Sequence, residues 1–286
     1  MMNVGIVGLG KMGGSIARNL LDRKYPVWVW NRSRPAVDEL AAAGATPCAD
    51  LRELLAAVDA VIIMLWGDDV ARAVTLQQIV PAARKGQLVI ESSTLSPAMY
   101  ETLAAAAATR GIDFLACPVI GSVDSARAGS LTILPGGTPQ AFERARDLLG
   151  AMGSTVTFTN SPSASGFLKL GSNAILGIVA DSLGELLRVT ESAGVDRALA
   201  IDLFVRAFER AGGKRQQLLD RDTAPRFSAA ALLKDLRLAK EARASVGQDA
   251  HVLDCVLEEF EEAVKGGIGD RDYIAVALAS ETVKAS

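Results

Sequence analysis

Three glycines do most to constrain what this chain can fold into. Gly8, Gly10 and Gly13 stand in the run G-L-G-K-M-G, directly after a strand-like stretch, Val4 to Val7, and directly before a helical one, Ser15 to Asp22. Their duties are separable: Gly8 permits a tight turn, Gly10 lets backbone approach a pyrophosphate, and Gly13 allows close helix–strand packing. The helix that follows offers free N–H groups and its positive dipole end to the phosphates. A glycine turn alone is a weak signal. Here both flanks are right and a second strand-like run, Val27 to Trp30, follows at the proper spacing. The expectation is a Rossmann dinucleotide site contacted by Gly8, Leu9, Gly10, Lys11, Met12 and Gly13.

The end of the second strand speaks to the cofactor. NAD-binding chains usually place Asp or Glu there to accept both ribose hydroxyls. This chain has Val29-Trp30-Asn31-Arg32-Ser33-Arg34, with no carboxylate. A carboxylate would repel a 2′-phosphate, whereas Arg32 can pair with it and lay its plane on the adenine. Asn31 and Ser33 can add hydrogen bonds. NADP(H) is the expected cofactor.

Alternation extends this unit along the first half of the chain. Ala60 to Leu65, Leu88 to Glu91 and Asp113 to Ala116 read as further strands, with helical stretches such as Ala36 to Ala43 between them. That pattern implies βαβ crossovers and a mostly parallel, doubly wound sheet. Leu131 to Leu134 and Thr155 to Phe158 bracket a helix that Pro139 can start. Near residue 160 a cluster of Asn160, Ser161, Pro162, Ser163 and Ser165 ends the strands. Beyond it the apolar period is helical, in Leu168, Ile175, Leu176, Val179, Leu183, Leu186 and Leu187, and again from Val252 to Val264. The expected organisation is an α/β domain over 1–160 and an all-helical domain over 161–286, joined by a long helix. That helix is apolar around much of its circumference and should be buried on several sides. A second domain of this size offers limited cover, so a partner subunit, in a dimer or tetramer, is expected.

Composition excludes some classes. A formal net charge of −3 with both signs interspersed argues against nucleic acid or an acidic membrane surface as partner. The longest apolar runs, Ala60 to Trp66 and Ala104 to Ala108, fall far short of the roughly 20 residues of a membrane span. The N-terminus reads as a strand rather than a signal peptide. Cys48, Cys117 and Cys255 are widely spaced and odd in number, which indicates neither a disulfide framework nor a zinc site. A cytoplasmic protein acting on a small molecule is expected.

Chemistry then needs a proton donor. The single histidine, His251, lies late in the chain beside Val252 and is more readily a surface or packing residue. Lys169 is the better candidate, near the start of the long helix and one turn before Asn173. Residues i and i+4 share a face, so ammonium and amide can converge on one small polar group. A lysine beside a helix N-terminus and a cleft should have a lowered pKa, which suits proton donation to a developing alkoxide.

With these residues in place, the whole chain resembles the β-hydroxyacid dehydrogenase family, relatives of 6-phosphogluconate and 3-hydroxyisobutyrate dehydrogenases. The match runs from Val7 to Gly13 and on through Ala17-Arg18-Asn19-Leu20. Met64-Leu65 and the segment from Ser92 to Pro97 are similar to two further cofactor-contact segments, with Thr94 beside the nicotinamide ribose. Cys117 to Ser122, followed by Ala128 to Thr132, is similar to the substrate segment. Lys169-Leu170-Gly171-Ser172-Asn173 matches the catalytic Lys and its Asn. Phe227 with Leu233 to Ala239 matches a C-terminal motif, in which Lys234 reaches the cofactor and Asp235 supports it. The resemblance implies hydride transfer between the nicotinamide and a carbinol or carbonyl carbon. Lys169 would move the oxygen-bound proton, Asn173 would orient the oxygen, and backbone around Gly121 and Ser122 would hold an acid group.

The pattern is broken at one place that matters. Family members usually read Asp-Ala-Pro-Val-Ser-Gly where this chain has Ala116-Cys117-Pro118-Val119-Ile120-Gly121. Ile120 removes a hydroxyl that would bind a substrate carboxylate, a loss of roughly 1.5–3 kcal/mol. Ser163 and Ser165 also stand where glycines are usual, and serine there can cap the helix. The leading expectation is an NADP(H)-dependent oxidoreductase of a small hydroxyacid or semialdehyde. The alternative is a reductase of a less polar ketone or imine, although imine reductases of this fold typically lack the Lys. A cofactor-binding protein without turnover is opposed by Lys169, Asn173 and Lys234 together.

Overall fold

The computed structural model describes residues 2–279. Two compact units divide at Asn173 and Ala174. The first holds a seven-stranded sheet of short strands, fully buried at β1, β4 and β5, in the order β3-β2-β1-β4-β5-β6-β9. In chain order these are β1 (Val4–Val7), β2 (Val27–Trp30), β3 (Thr46–Pro47), β4 (Ala60–Ile63), β5 (Leu88–Glu91), β6 (Asp113–Ala116) and, after two strands of a smaller sheet, β9 (Gly136–Gly137). All neighbours are parallel except β6 and β9. Parallel strands covered on both faces lose the apolar–polar alternation of a half-exposed strand, and Val4, Ile6, Val7, Ala60 and Ile62 are all solvent-free.

Helices α1 (Lys11–Asp22), α2 (Arg34–Ala42), α3 (Leu51–Ala57), α4 (Gly67–Ala71), α5 (Val80–Ala82) and α6 (Pro97–Thr109) supply most of the crossovers. A π-helix, Arg72–Ile79, lies between α4 and α5. Two apolar clusters fill the opposite faces of the sheet. One is built around Ile6, Ile16, Leu20 and Ile90; the other is built around Val7, Leu54, Ile63, Val89 and Leu103. Strand order reverses between β1 and β4, and a ligand crevice belongs at the carboxyl ends of the strands there.

The smaller sheet, β10-β8-β7, comprises β7 (Val119–Ile120), β8 (Leu131–Ile133) and β10 (Gly153–Val156), with α7 (Val123–Ala128) and α8 (Pro139–Met152) between strands. Pro139 stands at the first position of α8, as its fixed φ favours. The β7, β9 and β3 pairings were not foreseen. Strands of two residues are too short to show a period.

Helix α9 (Pro162–Ser192) begins in the first unit and continues into the second. Close approach fixes its start. A Cβ on Gly166 would meet Pro97 and Tyr100 at 3.1 Å, and one on Gly136 would lie 2.1 Å from the Ser161 carbonyl. The Glu101 carboxylate accepts from Ser163 N at 3.0 Å. Ser165 does not cap the helix. Its buried hydroxyl turns inward, 2.7 Å from the Thr159 hydroxyl.

The expectation that α9 is buried on several sides is not met within one chain: Phe167, Ile175, Leu176 and Ile178 are 58–68% exposed. By length and composition alone α9 could cross a bilayer, which counting consecutive apolar residues did not reveal. Lys169, Asn173, Asp181 and Glu185 interrupt it.

The second unit continues with α10 (Arg197–Gly212), α11 (Arg215–Asp220), α12 (Ala229–Ser245), α13 (His251–Ala263) and α14 (Ala275–Ala279). A small core of Ala229, Leu233, Leu257 and Phe260 joins α12 to α13. The buried Glu185 carboxylate accepts from Val252 N and caps the start of α13, where an anion meets the free N–H groups. Asp272, solvent-free, accepts from Lys214 Nζ and from the backbone N–H groups of Arg226, Phe227 and Ile274.

Candidate active site

The glycine turn is held by packing that only glycine allows. Gly8 has φ 91°, and a Cβ there would sit 2.1 Å from the Met64 carbonyl oxygen. At Gly13 a Cβ would lie 2.0 Å from the Gly8 carbonyl oxygen. Gly10 differs: a Cβ there would meet nothing within 4 Å. Gly10 is the N-cap of α1, with no side-chain cap on the first turn and no acidic residue in it. Two glycines thus close the backbone on itself, and the third leaves open space over free N–H groups. That donor set suits a pyrophosphate.

A cleft of about 1080 Å³ opens above this turn. Its walls include Gly8, Gly10, Lys11, Met12, Gly13, Asn31, Arg32, Met64, Leu65, Thr94 and Asn173, all singled out from the sequence. They also include Trp30, Trp66, Val70, Val74 and Gln78, which were not. Trp66 is 90% exposed at the rim. Residue type gave no warning of its place, since a single apolar residue after a strand has many explanations.

The Asn31 amide works inside the protein. Its Oδ1 accepts from Leu9 N at 3.1 Å, and its Nδ2 donates to the Ser33 hydroxyl at 2.9 Å and the Ser33 carbonyl at 3.1 Å. It therefore ties the glycine turn to the loop after β2. Ser33 Oγ, holding one N–H as acceptor, keeps its own proton for a ligand. Arg34 pairs with Asp38, whereas Arg32 is exposed and makes no ion pair with the described residues.

Lys169 is buried at 9% exposure, and its ammonium donates to Asn173 Oδ1 at 3.0 Å. Burial lowers its pKa from the usual lysine value. Because Asn173 Oδ1 accepts that hydrogen bond, Nδ2 remains as a donor toward the cleft it lines. The pair stands as the helical spacing foretold.

Ile120 is half-buried on β7, paired with Thr132 of β8. Gly121 has φ 143°, and Ser122 caps α7 by accepting from Ser125 N at 3.2 Å, so its hydroxyl has a structural task. In the second unit, Lys234 and Asp235 are exposed and pair with each other at 2.9 Å. Phe227 packs edge-on against Tyr273. His251 is exposed at the first position of α13. The described residues hold no group of acidic, His or Cys side chains able to bind a metal ion.

A strand order of 3-2-1-4-5-6, an uncapped helix over a glycine turn and a buried lysine bonded to the cleft-lining Asn173 fit a nicotinamide-dinucleotide oxidoreductase. Comparison with known proteins agrees. The model of the NAD-binding domain of 6-phosphogluconate dehydrogenase matches residues 3–160. The model described as NAD-binding of NADP-dependent 3-hydroxyisobutyrate dehydrogenase matches residues 164–279. An NAD-dependent L-serine dehydrogenase of Pseudomonas aeruginosa is 30% identical over 96% of this chain and 97% of its own. Among solved structures, a 3-hydroxyisobutyrate dehydrogenase of Salmonella typhimurium is 28% identical, covering 96% of this chain and 99% of its own, with a TM-score of 0.65. An imine reductase from Pseudomonas sp. shares the fold at a TM-score of 0.87 and 20% identity, over 98% of this chain and 99% of its own. The chain belongs to the β-hydroxyacid dehydrogenase family.

Proposed function

We propose that this chain is an NADP(H)-dependent oxidoreductase that interconverts a small hydroxyacid and its semialdehyde, with Lys169 as general acid and base. The observation that carries the reading is the buried Lys169 ammonium, bonded to an Asn173 that lines the dinucleotide cleft. A bound nicotinamide supplies or accepts the hydride. The chain's own residues handle the proton: Lys169 Nζ gives it to the substrate oxygen in reduction and removes it in oxidation. Asn173 Nδ2 orients that oxygen. A pKa lowered by burial brings the lysine closer to neutral pH, where acid and base forms can both be used.

The choice of NADP(H) rests on Arg32, which lines the cleft without an ion partner, and on the absence of a carboxylate at the end of β2. Ser33 supports it with a free hydroxyl proton. The relatives name both dinucleotides, so the experiment is a fluorescence titration of each. NADPH is expected to bind at least about tenfold tighter than NADH, and equal dissociation constants would remove this part of the reading.

Ile120 favours a second reading, reduction of a less polar ketone or imine, because it offers a carboxylate no hydrogen bond. Turnover of semialdehydes, ketones and cyclic imines with NADPH separates the two. The bare apolar flank of α9 supports a homo-oligomer in which a second copy covers it.

A further inference from the structure

Glu91 ends β5 with its carboxyl fully buried and no cation against it. A carboxylate in such a place is costly unless donors surround it. Three do. Oε1 accepts from Ser93 N at 3.2 Å and from the Ser93 hydroxyl, and Oε2 accepts from the Thr75 hydroxyl at 2.8 Å. The chain of bonds continues outward. Ser93 Oγ accepts from Leu65 N at 2.7 Å, and the buried Tyr100 hydroxyl donates to the Ser93 carbonyl.

This one carboxyl therefore reaches three walls of the dinucleotide cleft. Leu65 belongs to the wall after β4, Thr94 directly follows Ser93, and Thr75 sits in the π-helix whose Val74 and Gln78 line the cleft. π-Helices are rare and frequently occur at functional sites. Here the buried Thr75 of that helix faces inward and holds Glu91.

We propose that Glu91 is a positioning residue for the dinucleotide: its ionised carboxylate fixes the Leu65, Thr94 and π-helix walls in their cofactor-binding arrangement, and protonation releases them. The inference rests on the dinucleotide reading of the cleft. A protonated carboxyl would bring a fourth donor to a knot that already has three, and the Ser93 hydroxyl would have to turn away. Burial raises the Glu91 pKa to about 7, with the bonds from Ser93 and Thr75 acting against it, so the switch falls in an accessible range. The titratable groups that face it are the Tyr100 phenol of α6 and the Cys117 thiol just beyond β6, both held protonated by burial. Thr75 and, from β4, Ile63 bring no charge.

The test compares wild type with Glu91→Gln, measuring the dissociation constants of NADPH and NADH from pH 6 to pH 8.5. The 2′-phosphate titration of NADPH is common to both proteins, and NADH lacks it. Between pH 8 and pH 6 the wild type should lose about tenfold more affinity than the variant, as expected for a carboxylate titrating near 7. At pH 8 the variant should bind about tenfold more weakly, with amide exchange accelerated at residues 64–66 and 72–79 and its melting temperature little changed. Matching pH profiles in the two proteins, or unchanged affinity at pH 8, overturn the proposal. Should Glu91→Gln not fold, Thr75→Val serves: removing one donor to the carboxylate should move the midpoint of the wild-type profile to higher pH, and a fixed midpoint overturns it. Failure of wild type to bind either dinucleotide at any pH would instead overturn the reading of the cleft itself, and this proposal with it.

Discussion

The sheet around the cofactor cleft and the long helix that carries Lys169 solve the same problem differently. Strands β1, β4 and β5 close their apolar surface within the chain, down to solvent-free Ile6, Ile62 and Ile90. Helix α9 does not: Phe167, Ile175, Leu176 and Ile178 face outward from the same helix that presents Lys169 and Asn173. A buried Leu or Ile side chain contributes about 1.5–3 kcal/mol, so four left in water are a substantial unmet stabilisation. The comparison teaches that binding and chemistry rest on supports of different kinds. The cleft is framed by a finished core, and Lys169, the proposed proton donor, stands on a helix whose cover this chain does not itself provide.

The largest effect expected is on chemistry alone. Lys169→Met should lower kcat by about 10²–10⁴ while leaving the NADPH dissociation constant near the wild-type value, measured by stopped turnover and by titration. A matched loss of binding would break the division between the two regions. The pH dependence adds a sign. Reduction needs the protonated lysine and should fail as pH rises through its lowered pKa; oxidation needs the free amine and should gain over the same range.

Next comes the helix flank. Ile175→Asp with Leu176→Asp should weaken self-association at least about a hundredfold by light scattering, since two apolar side chains that a second copy would bury are lost. A wild-type monomer at working concentration would refute the idea that a second copy covers α9. On the sheet side, Arg32→Ala should weaken NADPH binding about tenfold to a hundredfold and leave NADH unaffected, as removing one charge-assisted contact implies. The smallest change tests the substrate end. Ile120→Ser should raise kcat/KM for short carboxylated substrates by up to about tenfold, and no gain would favour the less polar substrate.

Much of this was legible in the residues. Short, mainly apolar runs between turns and helical stretches marked β1, β2, β5 and β6 at their observed ends, because buried parallel strands are written as largely apolar stretches. The Lys169–Asn173 bond followed from helical spacing alone. Other features were hidden for identifiable reasons. The π-helix has a repeat that no search at 3.6 residues detects, so Thr75, Val74 and Gln78 went unmarked. Glu91 closed a strand and was read only as its end. A carboxylate terminating an otherwise apolar run was the available signal. Asn31 was assigned to the cofactor, yet both ends of its amide are used between loops, which depends on a Leu9 N position that sequence does not give. The exposure of α9 in a single chain accords with the limited cover expected from the second domain, since composition says that a surface wants cover and not which molecule brings it.

Of the three tryptophans in the chain, Trp30 and Trp66 line the dinucleotide cleft, and Trp66 stands at its rim almost wholly in water. An indole so placed changes its surroundings when the cleft fills, and a reduced nicotinamide absorbs where indole emits. Occupancy of the site is therefore written in the protein's own light, and Trp66→Phe would show how much of that signal the rim supplies.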